Sequence, residues 1–126
     1  KQELARIFQQ KDLNSNLQRL YLSQADDPLQ VIGLNFGENN SVKKHTHYYQ
    51  EPKKIFLVEV WIVIKGAIFG RIFDFDQTEV HAFELHSGDC LVLFRGYHSI
   101  TQVQNGTFFY EIKNGAYLQT NQKSIS

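Results

Sequence analysis

His45 and His47 are separated by one residue in the polar stretch VKKHTHYY (42–49). On a β-strand, residues i and i+2 lie on the same side, so two imidazoles can converge on one ion without a special loop. A third histidine, His98, opens another strand-like segment far along the chain. Strands distant in sequence face a common lumen in a barrel, so three ring nitrogens can meet there. Neutral imidazole suits zinc, iron, manganese, nickel or copper. Glu59 is the single charge inside the apolar run IFLVEVWIVIKG (55–66). An ion would give that carboxylate the partner a buried charge needs. Blander readings stand beside this one. The pair sits among lysines and could be surface, Glu59 could face solvent or pair with Arg71, and His98 could be a satisfied turn residue.

The elements that must position these residues read almost wholly as strand. ELARIFQQKDL (3–13) has helical spacing of Leu4, Ile7 and Phe8 and is expected to form a short helix or an extended segment. From Leu17 onward, strand-like segments cover 17–22, 29–36, 42–49, 55–64, 67–75, 79–85, 90–94, 98–103 and 107–113. ADDP, GENNS, DQT, HSGD and Asn105-Gly106 supply the turns, and Lys65-Gly66 and Asn105-Gly106 read as tight hairpins. Short strands with turns at this spacing make an all-β sandwich or barrel. One domain spans 1–126, with its core at 17–118 and a loose tail at 119–126. The 55–64 run is apolar on both faces, so its second face packs an N-terminal strand or another subunit.

Composition narrows the function. The chain has 126 residues, 13 basic and 13 acidic, giving a formal charge of zero. Neither a basic stripe for nucleic acid nor a membrane-length apolar span is visible. The one cysteine, Cys90, excludes an internal disulfide and reads as a buried thiol in DCLVLF. A reduced cytoplasmic setting is the default expectation. His81 and His86 fall in an outer hairpin and a turn and receive no role.

The pattern resembles the cupin superfamily of small jelly-roll β-barrels. The first cupin motif runs Gly, five residues, His-x-His, three or four residues, Glu, six residues, Gly. Here Glu59, VWIVIK and Gly66 reproduce its end and His45-Thr46-His47 its middle. Eleven residues separate His47 from Glu59, and the opening glycine is absent. The second motif runs Gly, five residues, Pro-x-Gly, two residues, His, three residues, Asn. Here Gly88 is followed by DCLVL and Phe94-Arg95-Gly96, with Phe in place of proline, His98 one residue early and Gln102 where Asn is usual.

The resemblance implies a divalent transition metal (Zn, Fe, Mn or Ni) held by His45, His47, Glu59 and His98. Glu51 lies four residues after His47 and competes with Glu59 for the acidic position; the spacing of Glu59 to Gly66 favours Glu59. The intervening residues 48–56 would lengthen a hairpin beside the site. The ending YEIKNGAY resembles small single-domain bacterial cupins associated with sugar or surface-polysaccharide metabolism. Glu111 and Lys113 alternate with Phe108, Tyr110 and Ile112, so both lie on one side, either the lumen or solvent. If it is the lumen, they are the catalytic candidates. Glu51, Arg71 and Tyr97 are candidates for binding substrate, and Arg95 could orient a ligand. The expected function is a metal-dependent enzyme acting on a small polar molecule such as a sugar derivative, by isomerisation, epimerisation or oxygenation. The alternatives are a non-catalytic metal- or carbohydrate-binding module, or a cupin that has lost its metal and binds ligand through its histidines. A homodimer is expected from the two-faced apolar strand and from the habits of cupin relatives.

Overall fold

Alternating burial along the strands is what builds the molecule. In the computed structural model, which describes residues 3–13, 17–49, 55–56, 58–115 and 120–124, Glu59, Trp61 and Val63 point inward while Val60, Ile62 and Ile64 stay half-buried. The side chains of 47–49, 55–56 and 120–124 are outside the description. Among the described residues eleven strands follow one another: β1 (Arg19–Tyr21), β2 (Leu29–Phe36), β3 (Val42–Tyr49), β4 (Ile55–Phe56), β5 (Glu59–Lys65), β6 (Ala67–Phe73), β7 (Glu79–His86), β8 (Cys90–Leu93), β9 (Tyr97–Val103), β10 (Thr107–Asn114) and β11 (Thr120–Ser124). One sheet has the order β1-β2-β10-β5-β8, the other β11-β3-β9-β6-β7 with β4 added on β3. All the pairings are antiparallel. Two antiparallel sheets wound in this order are the expected jelly roll.

The turns are where the sequence predicts them, but several do a different job. β5 lies in one sheet and β6 in the other, so Gly66 carries the chain between sheets and closes no hairpin. The same holds at Gly88, between β7 and β8, and at Asn105-Gly106, between β9 and β10. Turn chemistry is local, whereas strand pairing is decided by which faces must be buried together. Gly66 has φ +88°, and a Cβ there would meet Thr107 Oγ1 at 2.2 Å. The Thr107 hydroxyl in turn accepts from Ala67 N at 3.1 Å and donates to Gln104 O at 2.6 Å, tying the two sheet-switching corners together.

The run 55–66 is likewise two strands rather than one. β4 pairs with Tyr48 and Tyr49 of β3, and β5 belongs to the opposite sheet. β4 therefore lies antiparallel beside the end of β3, while residues 50–54 of the expected hairpin lie outside the described residues. In the N-terminal segment Gln10–Leu13 forms one 3-10 turn, and residues 3–9 before it have no regular secondary structure. Leu4 and Ile7 are 94% and 83% exposed, so no packed face holds a longer helix. The tail expected to be loose instead contributes β11, paired along β3 from Tyr49 to His45.

The core between the sheets contains Ile32, Leu34, Phe36, Trp61, Val63, Ile68, Phe83, Leu85, Leu93, Ile100, Val103 and Phe109. Trp61 sits at its centre, edge-on to Phe83 and Phe109 at 5.9 and 6.0 Å between centroids. Cys90 is exposed, which corrects the expectation of a buried thiol. It pairs across the ladder with Ile62, on the outer side of β5, so alternation turns its side chain away from the core. Among the described residues no helix is long and apolar enough to cross a membrane.

Candidate metal and ligand site

Both sheets contribute to one buried polar cluster. His45 on β3 and His98 on β9 are cross-strand partners, so their side chains share a face. Their rings meet edge to face, 4.3 Å between centroids and 63° between planes. They are 6% and 4% exposed. The His45 Nδ1 lies 2.7 Å from the Lys43 carbonyl oxygen. A carbonyl only accepts, so Nδ1 carries the proton and Nε2 keeps its lone pair. Burial pushes the His45 pKa below the usual imidazole value, against the Lys43 carbonyl and Glu111, which raise it, and with Lys113 and Arg19, which lower it. The ring is therefore neutral at neutral pH.

Glu59 comes from the opposite sheet and is 2% exposed. Its Oε1 accepts the Trp61 indole N–H at 2.7 Å, and its Oε2 lies 3.4 Å from His98 Nε2. Burial, then the charge and hydrogen bond of Glu111, hold the Glu59 pKa well above the ordinary carboxylate range; Lys113 and Trp61 oppose them. Register explains the grouping. On the β5/β10 ladder Trp61 stands opposite Glu111 and Glu59 opposite Lys113. Lys113 Nζ is 3.3 Å from Glu111 Oε1, with both side chains largely buried. The Glu59 proton is held more tightly than in an ordinary carboxyl, with the Lys113–Glu111 ion pair beside it.

Beside this cluster lies a cavity of about 90 Å³, whose walls include Arg19, His45, Glu59, Trp61, Glu111 and Lys113. The lumen alternative for Glu111 and Lys113 is thus the one realised. Glu59 is inside, not facing solvent and not paired with Arg71. His47 continues β3 two residues beyond His45, but its side chain is outside the described residues, and so is Glu51 entirely.

Two expected substrate residues lie elsewhere. Arg71 is exposed on β6 and pairs with Glu79 across the β6/β7 edge at 2.8 Å. Tyr97 is buried, but it precedes His98 on β9 and so lies on the other face of the strand, against Phe75. Arg95 is exposed and does not line the cavity. His81 and His86 are exposed. Sequence reading missed two members. Trp61 is the indole donor to Glu59, signalled only by its i+2 spacing. Arg19 is signalled only by its place on a short edge strand.

Among the described residues no group of three or more His, Cys, Asp or Glu side chains is already arranged to hold a metal ion. The donor types do fit a metal: two imidazoles, one with its lone pair fixed by a backbone carbonyl, beside a buried carboxyl.

No family model matches the sequence, and no curated protein matches it. Solved structures do match the fold. A protein from Klebsiella pneumoniae described as having a double-stranded β-helix domain superposes with a TM-score of 0.64 at 13% identity, over 98% of this chain and 99% of that one. KdgF from a Halomonas species matches with a TM-score of 0.59 at 15% identity, over 77% and 78% of the two chains. A variant of Bacillus subtilis oxalate decarboxylase matches with a TM-score of 0.59 at 18% identity, over 76% of this chain. The present chain spans only 24% of that decarboxylase, and 23% of a Brassica napus 11S globulin that it also resembles. Oxalate decarboxylase is described as having Mn(II) centres. The fold shared with these structures is the double-stranded β-helix.

Proposed function

We propose that the chain is a metal-binding cupin whose cavity acts on a small polar molecule such as a sugar derivative. One observation carries this reading. His45, His98 and Glu59, remote in sequence and drawn from two sheets, converge at one buried place beside a cavity. His45, His98 and Glu59 would hold a divalent transition metal, with His47 as the fourth donor. When bound, the ion would supply Lewis acidity to a carbonyl or hydroxyl.

The chain's own groups do the remaining work. Trp61 orients the Glu59 carboxyl through its indole N–H. Glu111 reaches the cavity and carries or accepts a proton at its carboxyl, with Lys113 beside it to favour the ionised form. Apolar residues such as Phe36 and Phe109 on the cavity wall exclude water and strengthen these charges. Isomerisation, epimerisation and oxygenation are all compatible with this set. We also propose that two copies associate through the outer face of the five-stranded sheet, where Val60, Ile62 and Ile64 are half-buried and Val92 is 42% exposed.

A second reading is a metal-free module in which Glu59, holding its proton, and Glu111 bind a hydroxyl of a carbohydrate directly. The raised Glu59 pKa favours it. Elemental analysis of protein purified without a histidine tag separates the two. About one equivalent of transition metal, lost on chelation, supports the metal site; a protein that stays metal-free after loading supports the module.

A further inference from the structure

The charges around the cavity do not cancel one another equally. Lys113 is taken up by Glu111 at 3.3 Å. Glu59 accepts the Trp61 indole N–H at 2.7 Å. Arg19 is the other Lys or Arg on the wall among the described residues. Among the described residues no carboxylate makes an ion pair with it. Its position follows from register. Arg19 on the edge strand β1 is the direct partner of Leu34, which is 3% exposed and faces the core. Direct partners share a face, so the guanidinium is sent to the inner side of the sheet, at the open rim. It lies near enough to His45 for its charge to act on that ring.

We propose that Arg19 is the specificity-determining residue of the cavity and that the ligand is a small molecule bearing a carboxylate. A guanidinium presents a planar fork of N–H donors that matches a carboxylate in a bidentate pair. A cavity of about 90 Å³ has room for a carboxylate and a few further atoms, roughly the space of three waters. A larger molecule enters by its acidic end and leaves the rest at the rim. An edge-strand charge that only deters strand pairing would sit as well on the outer face. The inward register and cavity contact are what set Arg19 apart.

The inference rests on the cavity being a small-molecule site and is independent of which donors hold a metal. The test compares two matched pairs of probes, lactate against lactamide and D-galacturonate against D-galactose. Binding to the wild-type chain and to Arg19→Gln is measured by titration calorimetry, with metal content assayed on each sample. The expected result is at least tenfold tighter binding of each carboxylate than of its neutral counterpart, a preference that Arg19→Gln abolishes and Arg19→Lys partly restores. Equal binding of acid and neutral probe, binding of neither carboxylate, or a preference that survives in Arg19→Gln overturns the proposal. A carboxylate preference that depends on Arg19 in a protein free of metal upholds it while sinking the metal reading.

Discussion

His45 and His98 stand directly opposite each other on β3 and β9, their rings edge to face at 4.3 Å. More than fifty positions of chain separate them, and Glu59 reaches His98 from the other sheet at 3.4 Å. The shared site therefore exists only when the two sheets are closed on each other.

Removing either ring is expected to remove the metal. His45→Ala and His98→Ala should each weaken metal affinity by more than the about 10–100-fold that loss of an outer hydrogen-bonding partner costs. His47→Ala should act in the same direction. His81→Ala, which alters an exposed ring, should leave metal content unchanged. Elemental analysis after dialysis reads all four, and retention of metal by His98→Ala would count against the site.

The buried acid should leave its mark on stability as a function of pH. The folded chain holds the Glu59 pKa well above the ordinary carboxylate value of about 4.3, so it keeps a proton that the unfolded chain releases. That stabilisation is complete below the unfolded pKa and is lost as pH rises toward the raised one. His45 acts in the opposite sense. Its depressed pKa favours the neutral ring, so its stabilisation is lost as pH falls below about 6.5. Urea midpoints of metal-free Glu59→Gln should lack the loss with rising pH and keep the loss with falling pH. An unchanged profile would refute the assignment.

Trp61→Phe retains a ring in the core but deletes the indole donor to Glu59. The expected loss is about 2 kcal/mol, within the range for leaving a buried polar group without its donor. The Glu59 proton should also be held more tightly, since Trp61 lowers that pKa in the wild type. Chemical denaturation at two pH values checks both effects.

The corners between the sheets can be tested by a matched pair. Gly66→Ala would put a methyl against Thr107 at a φ of +88° and should cost about 3 kcal/mol or more. Gly88 has φ +90°, yet an added Cβ would meet nothing within 4 Å. Gly88→Ala should therefore cost only the backbone strain, about 1 kcal/mol. Equal losses would mean that the Gly66–Thr107 contact carries no load.

Much of the architecture was legible because burial leaves a period of two in sequence. The strand character of β5 is visible in the letters, although its run is apolar on both faces, and so is the shared side of Glu111 and Lys113 on β10. What the letters do not contain is which face meets which. Asn105-Gly106 has the composition of a hairpin turn but joins two sheets, because β10 is claimed by β2 and β5. Arg71 and Glu59 lie on neighbouring strands in sequence yet in opposite sheets, so the pairing that seemed open between them cannot form. Arg19 escaped notice because a charged residue on a short edge strand carries no mark of the side it faces until its partner, Leu34, is known.

The most direct test of the account is anomalous scattering from crystals of the chain loaded with a transition metal. A single strong peak within bonding distance of nitrogen atoms of His45 and His98 and of the Glu59 carboxyl is the expected result. A peak elsewhere on the molecule, or none in the cavity of a crystal soaked to saturation, would contradict it.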